Sequence, residues 1–241
     1  MATTISGGWS DSSKARPERP RPSAAVRRLT PQLLLRAYSV GIFPMAEGRE
    51  RHEVYWVDPR QRGILPLDQF RVPKRLRRTV RRNTFEVRCD TAFGAVLEGC
   101  AAPTPERPDT WINEEILRLN LKLFEMGFAH SIECWRDDRL VGGLYGIAIG
   151  GAFFGESMFS RERDASKVAL VHLVLRLRLG GFRLLDTQFT TAHLKQFGAI
   201  DVDRVHYHRL LEAAIPAKAD FYFLAGGATG EEALQSVSQT S

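Results

Sequence analysis

The sequence predicts a mixed α+β fold built on a mostly antiparallel sheet. Alternating apolar and polar residues mark three successive strands, at residues 129–136, 140–149 and 152–158, since strand side chains alternate between two faces. A helical pattern of apolar residues follows from Ala165 to Leu179, and two glycines end it. Another strand, residues 182–189, comes next. This order predicts a sheet with helices packed against it.

Composition limits the class of protein. With 241 residues, of which 44% are apolar, the chain can bury a core and form one large domain with a smaller attachment. Cys89, Cys100 and Cys134 are widely spaced and odd in number, which favours a reduced protein without structural zinc. The longest uncharged run, residues 140–155, is too short for a bilayer span, so we expect no membrane insertion.

We expect the chain to divide into four segments. Residues 1–28 carry no periodic apolar positions and predict a disordered basic tail, either a solubilising extension or an arm that touches RNA. Residues 29–70 predict a small N-terminal α/β domain, and residues 71–225 predict the main domain. Residues 226–241 are polar and predict a flexible C-terminal tail.

The segment from Arg71 to Arg82 predicts an amphipathic helix with a cationic face. On a helix its basic side chains occupy one arc of about 160°, opposite the apolar positions. They are Lys74, Arg75, Arg77, Arg78, Arg81 and Arg82, without an acid among them. A solvated surface helix and a polyanion-binding helix are both open; unrelieved repulsion between like charges and the net charge of +6 favour the second.

Two acids lie in apolar strands. Asp186 and Gln188 would share one strand face. Glu156 would share a face with its neighbours at 152, 154 and 158. Buried charge is costly without a partner. The alternatives are structural roles, with Asp186 capping the next helix and Glu156 pairing with a buried arginine, or a reactive centre.

Six apolar residues predict either core or a pocket beside these acids. Three of them recur at helical spacing, which is most typical of plain core. The set is Leu144, Phe153, Leu170, Leu173, Leu177 and Leu185. Trp111 follows a proline-rich run, where an aromatic side chain is either a partly buried anchor or a surface for stacking an unpaired base.

Four motifs in order carry a resemblance to a known family. They are GIFPM (41–45), TWIN (110–113), GGAFFGESMFSRERDASKVAL (150–170) and LLDTQF (184–189). From about Pro31 to Phe221 the sequence resembles the leucyl/phenylalanyl-tRNA–protein transferase family of the bacterial N-degron pathway. Met45 and Thr191 depart from it, at positions where a tryptophan and an asparagine respectively are found in family members.

The resemblance implies an activity and a fold. The fold would be a GNAT-like acyltransferase domain with the small N-terminal domain attached. The enzyme would move Leu or Phe, with Met left open, from aminoacyl-tRNA to the α-amino group of proteins that begin with Lys or Arg. It would need no cofactor, because the ester is already activated. A cytoplasmic monomer is expected.

The resemblance also implies roles for residues. Asp186 and Gln188 would lie at the reacting centre, Trp111 beside the terminal adenosine of the tRNA, and the six apolar residues around the donor side chain. We expect Asp186 to hold Gln188, whose amide oxygen orients the attacking amine. Glu156 would pair with the basic N-terminal residue of the acceptor, and the cationic helix would contact tRNA phosphates.

Two other function classes compete with this interpretation. An acetyl-CoA-dependent N-acetyltransferase needs a Q/R-x-x-G-x-G/A turn for pyrophosphate, and the nearest match, Arg139-x-x-Gly142-x-Leu144, fails at its last position. A noncatalytic RNA-binding module would explain the cationic helix and Trp111. It would not explain an acid and an amide beside an apolar pocket.

Overall fold

The computed structural model describes residues 29–50, 53–104, 108–224 and 228–238. The predicted basic tail at residues 1–28 lies outside these ranges. The helices are α1 (Pro31–Ser39), α2 (Lys74–Arg81), α3 (Phe93–Ala101), α4 (Glu114–Glu125), α5 (Ala165–Leu179), α6 (Ala192–Lys195), α7 (Arg204–Ala214) and α8 (Gly230–Ser238). The strands are β1 (Phe43–Ala46), β2 (Val54–Val57), β3 (Gln61–Ile64), β4 (Glu86–Cys89), β5 (Ala129–Arg136), β6 (Arg139–Ile149), β7 (Ala152–Ser160), β8 (Leu184–Gln188) and β9 (Ile200–Asp203).

The predicted mixed α+β class, with a mostly antiparallel sheet flanked by helices, is confirmed. The large sheet has the strand order β4-β5-β6-β7-β8-β3-β9. Its neighbours pair antiparallel except β7 and β8, which are parallel. A parallel pair needs a crossover connection, and α5 provides it. β1 and β2 form a separate two-stranded sheet.

The large sheet separates two apolar cores. The α5-side core contains α5 together with Leu144, Phe153 and Leu185. The α1-side core contains residues of α1, α3, α4 and α7, with Phe154 and Leu184 from the sheet. Since neighbouring strand residues face opposite sides, Leu184 and Leu185 belong to different cores.

Helix α5 is buried along most of its length, from Ala165 to Leu177, because it is covered on its outer side as well. It packs against β5, β6 and β7 on one side and against α2 and α8 on the other. A helix that is apolar nearly all round is expected in such an interior position.

Two of the predicted segments, residues 29–70 and 226–241, contain elements that pair or pack with the main part of the fold. Strand β3 falls within the predicted small domain of residues 29–70 but pairs with β8 and β9 in the large sheet. Helix α8 falls within the predicted flexible tail of residues 226–241. Its Ala233 and Leu234 are only 0% and 4% exposed. Tertiary packing of these two residues stabilises a helix that is too short and polar to be evident locally.

Among the residues that the structure describes, none of the helices combines the length and the apolarity needed to cross a lipid bilayer.

Candidate active site

The candidate site lies where β7 and β8 diverge. Their parallel pairing covers only residues 152–154 of β7 and 184–186 of β8. Beyond these pairs β7 stays with β6, and β8 stays with β3. The sheet therefore opens between two strands, and the next residues on either side of the opening include Glu156 and Gln188.

A β-bulge sets the direction of Glu156. Tyr145 pairs with Ser157 and Gly146 with Gly155, so Glu156 is the extra residue on β7. A bulge breaks the alternation of side chains and is common beside active sites. The predicted shared face is thus wrong at its end: Phe154 belongs to the α1-side core, whereas Met158 packs against the α5-side core.

The carboxylate of Glu156 receives two hydrogen bonds on one oxygen. The Tyr38 hydroxyl donates to Glu156 Oε1 over 2.9 Å, and Gln188 Nε2 donates to the same oxygen over 2.8 Å. Burial, with a contribution from the Asp186 charge, raises the pKa of Glu156 to about 8, although both donors and Arg62 act to lower it. Glu156 therefore holds a proton in a large fraction of molecules near neutral pH.

Gln188 is held in an unusual backbone conformation. Its φ angle is +60°, which costs a residue with a Cβ about 1–2 kcal/mol. Its backbone N–H donates to Asp186 Oδ1 over 2.7 Å. With Nε2 bonded to Glu156, the side-chain oxygen accepts no hydrogen bond from the described residues and is available to a ligand. Strain of this kind is concentrated at functional sites.

Asp186 is sealed beneath Gln188 by hydrogen-bond donors. It is 0% exposed and accepts from Arg62 Nε and Nη2 at 2.9 and 2.6 Å. The Tyr207 hydroxyl donates to it over 2.7 Å. With the Gln188 N–H, these donors occupy both carboxylate oxygens. Asp186 positions Gln188 and has no free face for a ligand.

Arg62 fixes Asp186 to the N-terminal part of the chain. It is 1% exposed, and its guanidinium carbon lies 4.4 Å from the Phe43 ring centre and 4.5 Å from that of Tyr207. Its Nη1 donates to Gly41 O over 2.9 Å. The charge is thus satisfied by a carboxylate, a carbonyl and two aromatic faces.

Neither of the structural roles considered for the two acids occurs in the form that the sequence suggested. A buried arginine is present, but it pairs with Asp186, and Glu156 is instead bound by Tyr38 and Gln188. The N-cap of α6 is Thr191, whose side chain accepts from Leu194 N, so Asp186 does not cap that helix.

Sequence reasoning missed Tyr38, Arg62 and Tyr207. The signal for Arg62 was available, because an arginine followed by Gly63 and Ile64 in a strand is unusual without a partner. Tyr38 and Tyr207 come from α1 and α7, far apart in the chain. No local pattern connects them to β8.

The six predicted pocket residues do lie together, in the α5-side core. Each is at most 3% exposed. They lie across the sheet from Asp186, whose partner Tyr207 belongs to the α1-side core. Met158, which packs partly buried against the same core, lies on β7 beyond the point of divergence.

Two cavities are lined by other residues. One of about 320 Å³ lies between β4, α5 and the segment around Leu224. The other, of about 460 Å³, lies between the end of α3 and the end of β7.

Comparisons with known proteins give the family. A model described as leucyl/phenylalanyl-tRNA protein transferase matches residues 64–212, and a model of that enzyme's N-terminal domain matches residues 27–60. A protein named leucyl/phenylalanyl-tRNA–protein transferase from Paramagnetospirillum magneticum is 63% identical over 81% of this chain and 94% of its own length. The chain belongs to this family.

Further relatives carry the same name. One from Caulobacter vibrioides is 58% identical over 86% of this chain and 96% of its own. Another from Nitrobacter winogradskyi is 55% identical over 90% of this chain and 97% of its own length. The transferase family thus accounts for both the large sheet and the small N-terminal part, with a boundary between residues 60 and 64.

In this transferase the cationic helix is present as α2. The six basic residues are all exposed, while Leu76 and Val80 are buried in the α5-side core. Arg81 pairs with Glu231 of α8 over 2.9 Å, so one of the charges has an acidic partner that the local sequence does not show. The helix lies on the same side of the sheet as the six apolar residues.

Trp111 lies just before α4 and is partly buried. It packs against the α1-side core, as do Met45 and Trp56. That core also contains Tyr38, which bonds Glu156. Trp111 therefore lies on the Glu156 side of the sheet.

Proposed function

We propose that this chain transfers leucine or phenylalanine from aminoacyl-tRNA to the α-amino group of proteins that begin with Lys or Arg. Methionine is left open as a donor. The observation that carries the proposal is the Glu156–Gln188 pair at an opening in the sheet, with one amide oxygen free and both residues fixed from behind. The name of the family supports an aminoacyl-tRNA as the donor and a protein as the acceptor.

The reaction needs positioning more than strong base catalysis. An α-amine has a pKa of about 7.7–8.0, so a useful fraction is already neutral. Its nitrogen attacks the ester carbonyl of the charged tRNA, an amide bond forms and the ester C–O bond breaks. The amine proton ends on the 3′-terminal oxygen of the released tRNA. Gln188 Oε1 accepts a hydrogen bond from the amine and directs its lone pair at the carbonyl.

Asp186 acts by holding Gln188. Its oxygens already accept from Arg62, Tyr207 and the Gln188 backbone, so the carboxylate is not placed to take a proton from the amine. The ion pair with Arg62 holds the carboxylate in place. In this mechanism Asp186 is a positioning residue, and Gln188 is the one that touches substrate.

Glu156 selects a basic N-terminal residue. A Lys or Arg side chain at the opening would pair with the carboxylate, and its charge would lower the raised pKa of Glu156 and favour the ionised form. The binding of a basic acceptor thereby promotes ionisation of the carboxylate that pairs with it.

The donor side chain passes through the gap between β7 and β8 into the α5-side core. There it contacts Leu144, Phe153, Leu170, Leu173, Leu177 and Leu185. Each buried methylene contributes about 0.8 kcal/mol, which favours large apolar side chains over small ones by modest factors.

The tRNA is held by two further features. Trp111 stacks on the terminal adenosine. The basic residues of α2 and the arginine that follows it contact phosphates: Lys74, Arg75, Arg77, Arg78, Arg81 and Arg82. We further propose a GNAT-like domain, supported by the meander β5–β7, the crossover helix α5 and the parallel strand β8. The enzyme acts as a monomer without cofactor, in the cytoplasm, where its donor is made.

The test is transfer of labelled leucine from charged tRNA to a peptide with N-terminal Arg. Gln188→Ala should lower kcat/KM by about 100-fold or more, since it removes the orienting oxygen. Glu156→Gln should remove the preference for Arg over an uncharged N-terminal residue. An unchanged preference would refute the assignment of Glu156.

Two arms distinguish the competing functions. Acetyl-CoA as the sole donor should give no product; acetylation of the peptide would establish an N-acetyltransferase instead. Binding of charged tRNA without any transfer would establish an RNA-binding module. Gln188→Gly should lose activity to the same extent as Gln188→Ala. Because glycine relieves the strain of the positive φ angle, Gln188→Gly should be at least as stable as Gln188→Ala. This would separate the role of the side chain from that of the backbone.

A further inference from the structure

A cavity of about 320 Å³ lies away from the transferase site, on the α5 side of the sheet. Its walls come from β4, β5 and α5 and from the chain at Leu224 and Ala228. The lining includes His172 and Arg176, with apolar walls from Val87, Ile132, Leu224 and Ala228. None of the residues assigned above to the transfer reaction lines it.

Arg176 brings a buried positive charge to this cavity. It is 6% exposed. Its Nη1 donates to Phe221 O over 2.8 Å, and the Phe221 ring centre lies 5.3 Å from the guanidinium carbon. Within the described residues no carboxylate lies at ion-pair distance from it, in contrast to Arg62. A buried cation without a counter-ion is costly.

The neighbouring acids are already engaged by other groups. Asp90 accepts from Ser131 N and the Tyr222 hydroxyl and bonds His130. Glu86, at the cavity rim, receives both Nε and Nη2 of Arg88. Arg176 is therefore left facing the cavity with unused donors.

His172 lies one helical turn before Arg176 and lines the same cavity. It is 7% exposed and makes no hydrogen bond to the residues that the structure describes. Burial, followed by the Arg176 charge, lowers the pKa of His172 to about 4. The neutral ring can donate one further hydrogen bond to a ligand.

We propose that this cavity binds a small organic monocarboxylate, with its carboxylate on Arg176 and His172 and its apolar body against Val87, Ile132 and Leu224. The planar guanidinium fork matches a carboxylate. Arg176, as a cation without an acidic partner among the described residues, favours a ligand with one negative charge. The apolar walls favour a ligand whose remaining part is apolar. The volume is within the range of small-molecule sites. The proposal does not depend on the transfer activity.

The test follows the ring resonances of His172 by NMR, assigned by their loss in His172→Gln. Phenylacetate should shift them saturably, with a dissociation constant of about 1 mM or lower. Arg176→Met should weaken binding by about 10-fold or more, because it removes the charged fork. Arg163→Met, at a side chain that is 70% exposed, is the matched control and should bind normally. Gln188→Ala should also bind normally, which separates this site from the transferase site.

Each other outcome overturns the proposal. Resonances that respond to inorganic phosphate and not to phenylacetate would assign a phosphate site. Resonances that respond to neither would leave no anion site. Equal binding by Arg176→Met would place the carboxylate elsewhere. Should that variant not fold, Leu224→Trp fills the cavity with Arg176 intact and must abolish the phenylacetate shift.

Discussion

At the scale of single residues, the site depends on two acids that differ in burial and in hydrogen-bond partners. Asp186 is fully buried with a bidentate cationic partner, whereas Glu156 is half-buried with neutral donors only. A guanidinium stabilises the ionised carboxyl, and burial without one favours the protonated form. The two acids therefore differ in role: Asp186 is a buried ion-pair partner, and Glu156 is a titratable group at the opening.

Asp186→Asn should destabilise the fold strongly. It leaves Arg62 buried without a counter-ion, a change that typically costs about 3–5 kcal/mol. Urea unfolding measures the loss. In the double variant Arg62→Met/Asp186→Leu part of the stability should return, since no charge is left unpaired. A single variant within about 0.5 kcal/mol of wild type would contradict the importance of the pair.

Glu156 should make stability fall as pH rises. Its pKa is about 8 in the folded chain, against an ordinary value of 4.5. Between these values the folded state binds more protons than the unfolded state, so its contribution is complete below about 4.5 and is lost as pH rises through about 8. Glu156→Gln removes this dependence. Its stability relative to wild type should rise by at least about 1 kcal/mol from about pH 5 to pH 8, after allowance for partial exposure.

The matched control is Glu86→Gln. Arg88 lowers the pKa of Glu86, so the effect of this substitution should be constant above about pH 5. Equal pH dependence of Glu156→Gln and Glu86→Gln, measured by urea unfolding across the range, would show that Glu156 titrates normally.

At the scale of elements, regular strands and helices could be predicted and the irregular point of the site could not. The extent of α5 is the same in prediction and structure, Ala165–Leu179, because its apolar pattern and terminal glycines are local. The alternation of β7 fails at Glu156. The bulge there is defined by pairing with Tyr145 and Gly146, and the sequence of a strand does not specify which of its residues is left unpaired.

The basic face of α2 was predicted correctly as an exposed surface, and its use by tRNA is open to a direct test. Arg78→Gln should reduce the slope of log affinity for charged tRNA against log salt by about 0.7–0.9, the value for one phosphate contact. Arg81→Gln should reduce it less, because Glu231 already pairs with Arg81. Arg163→Gln, at an exposed arginine outside α2, is the control. If all of these variants had the same slope as the wild type, α2 would be excluded from the interface with tRNA.

At the scale of the whole molecule, segments distant in sequence complete both cores. Arg62 of β3 reaches Gly41 and Asp186, so the small N-terminal part is attached through the buried ion pair. The C-terminal helix α8 packs on α2 and α5, and Gly230 N donates to Asn83 Oδ1 over 2.7 Å. The sequence pattern predicted a separate small domain and a tail for these segments. Local pattern and composition contain no information about which distant surfaces a segment packs against.

Leu234→Ala decides between a packed helix and a flexible tail at the C-terminus. Leu234 is 4% exposed in the α5-side core, so truncation should cost about 2–5 kcal/mol through lost burial and a residual cavity. Leu179→Ala, at a leucine of α5 that is 42% exposed, should cost less than about 1 kcal/mol. Urea unfolding of both variants provides the comparison. A flexible tail would make Leu234→Ala neutral, and α2 would then have to be held by α5 alone.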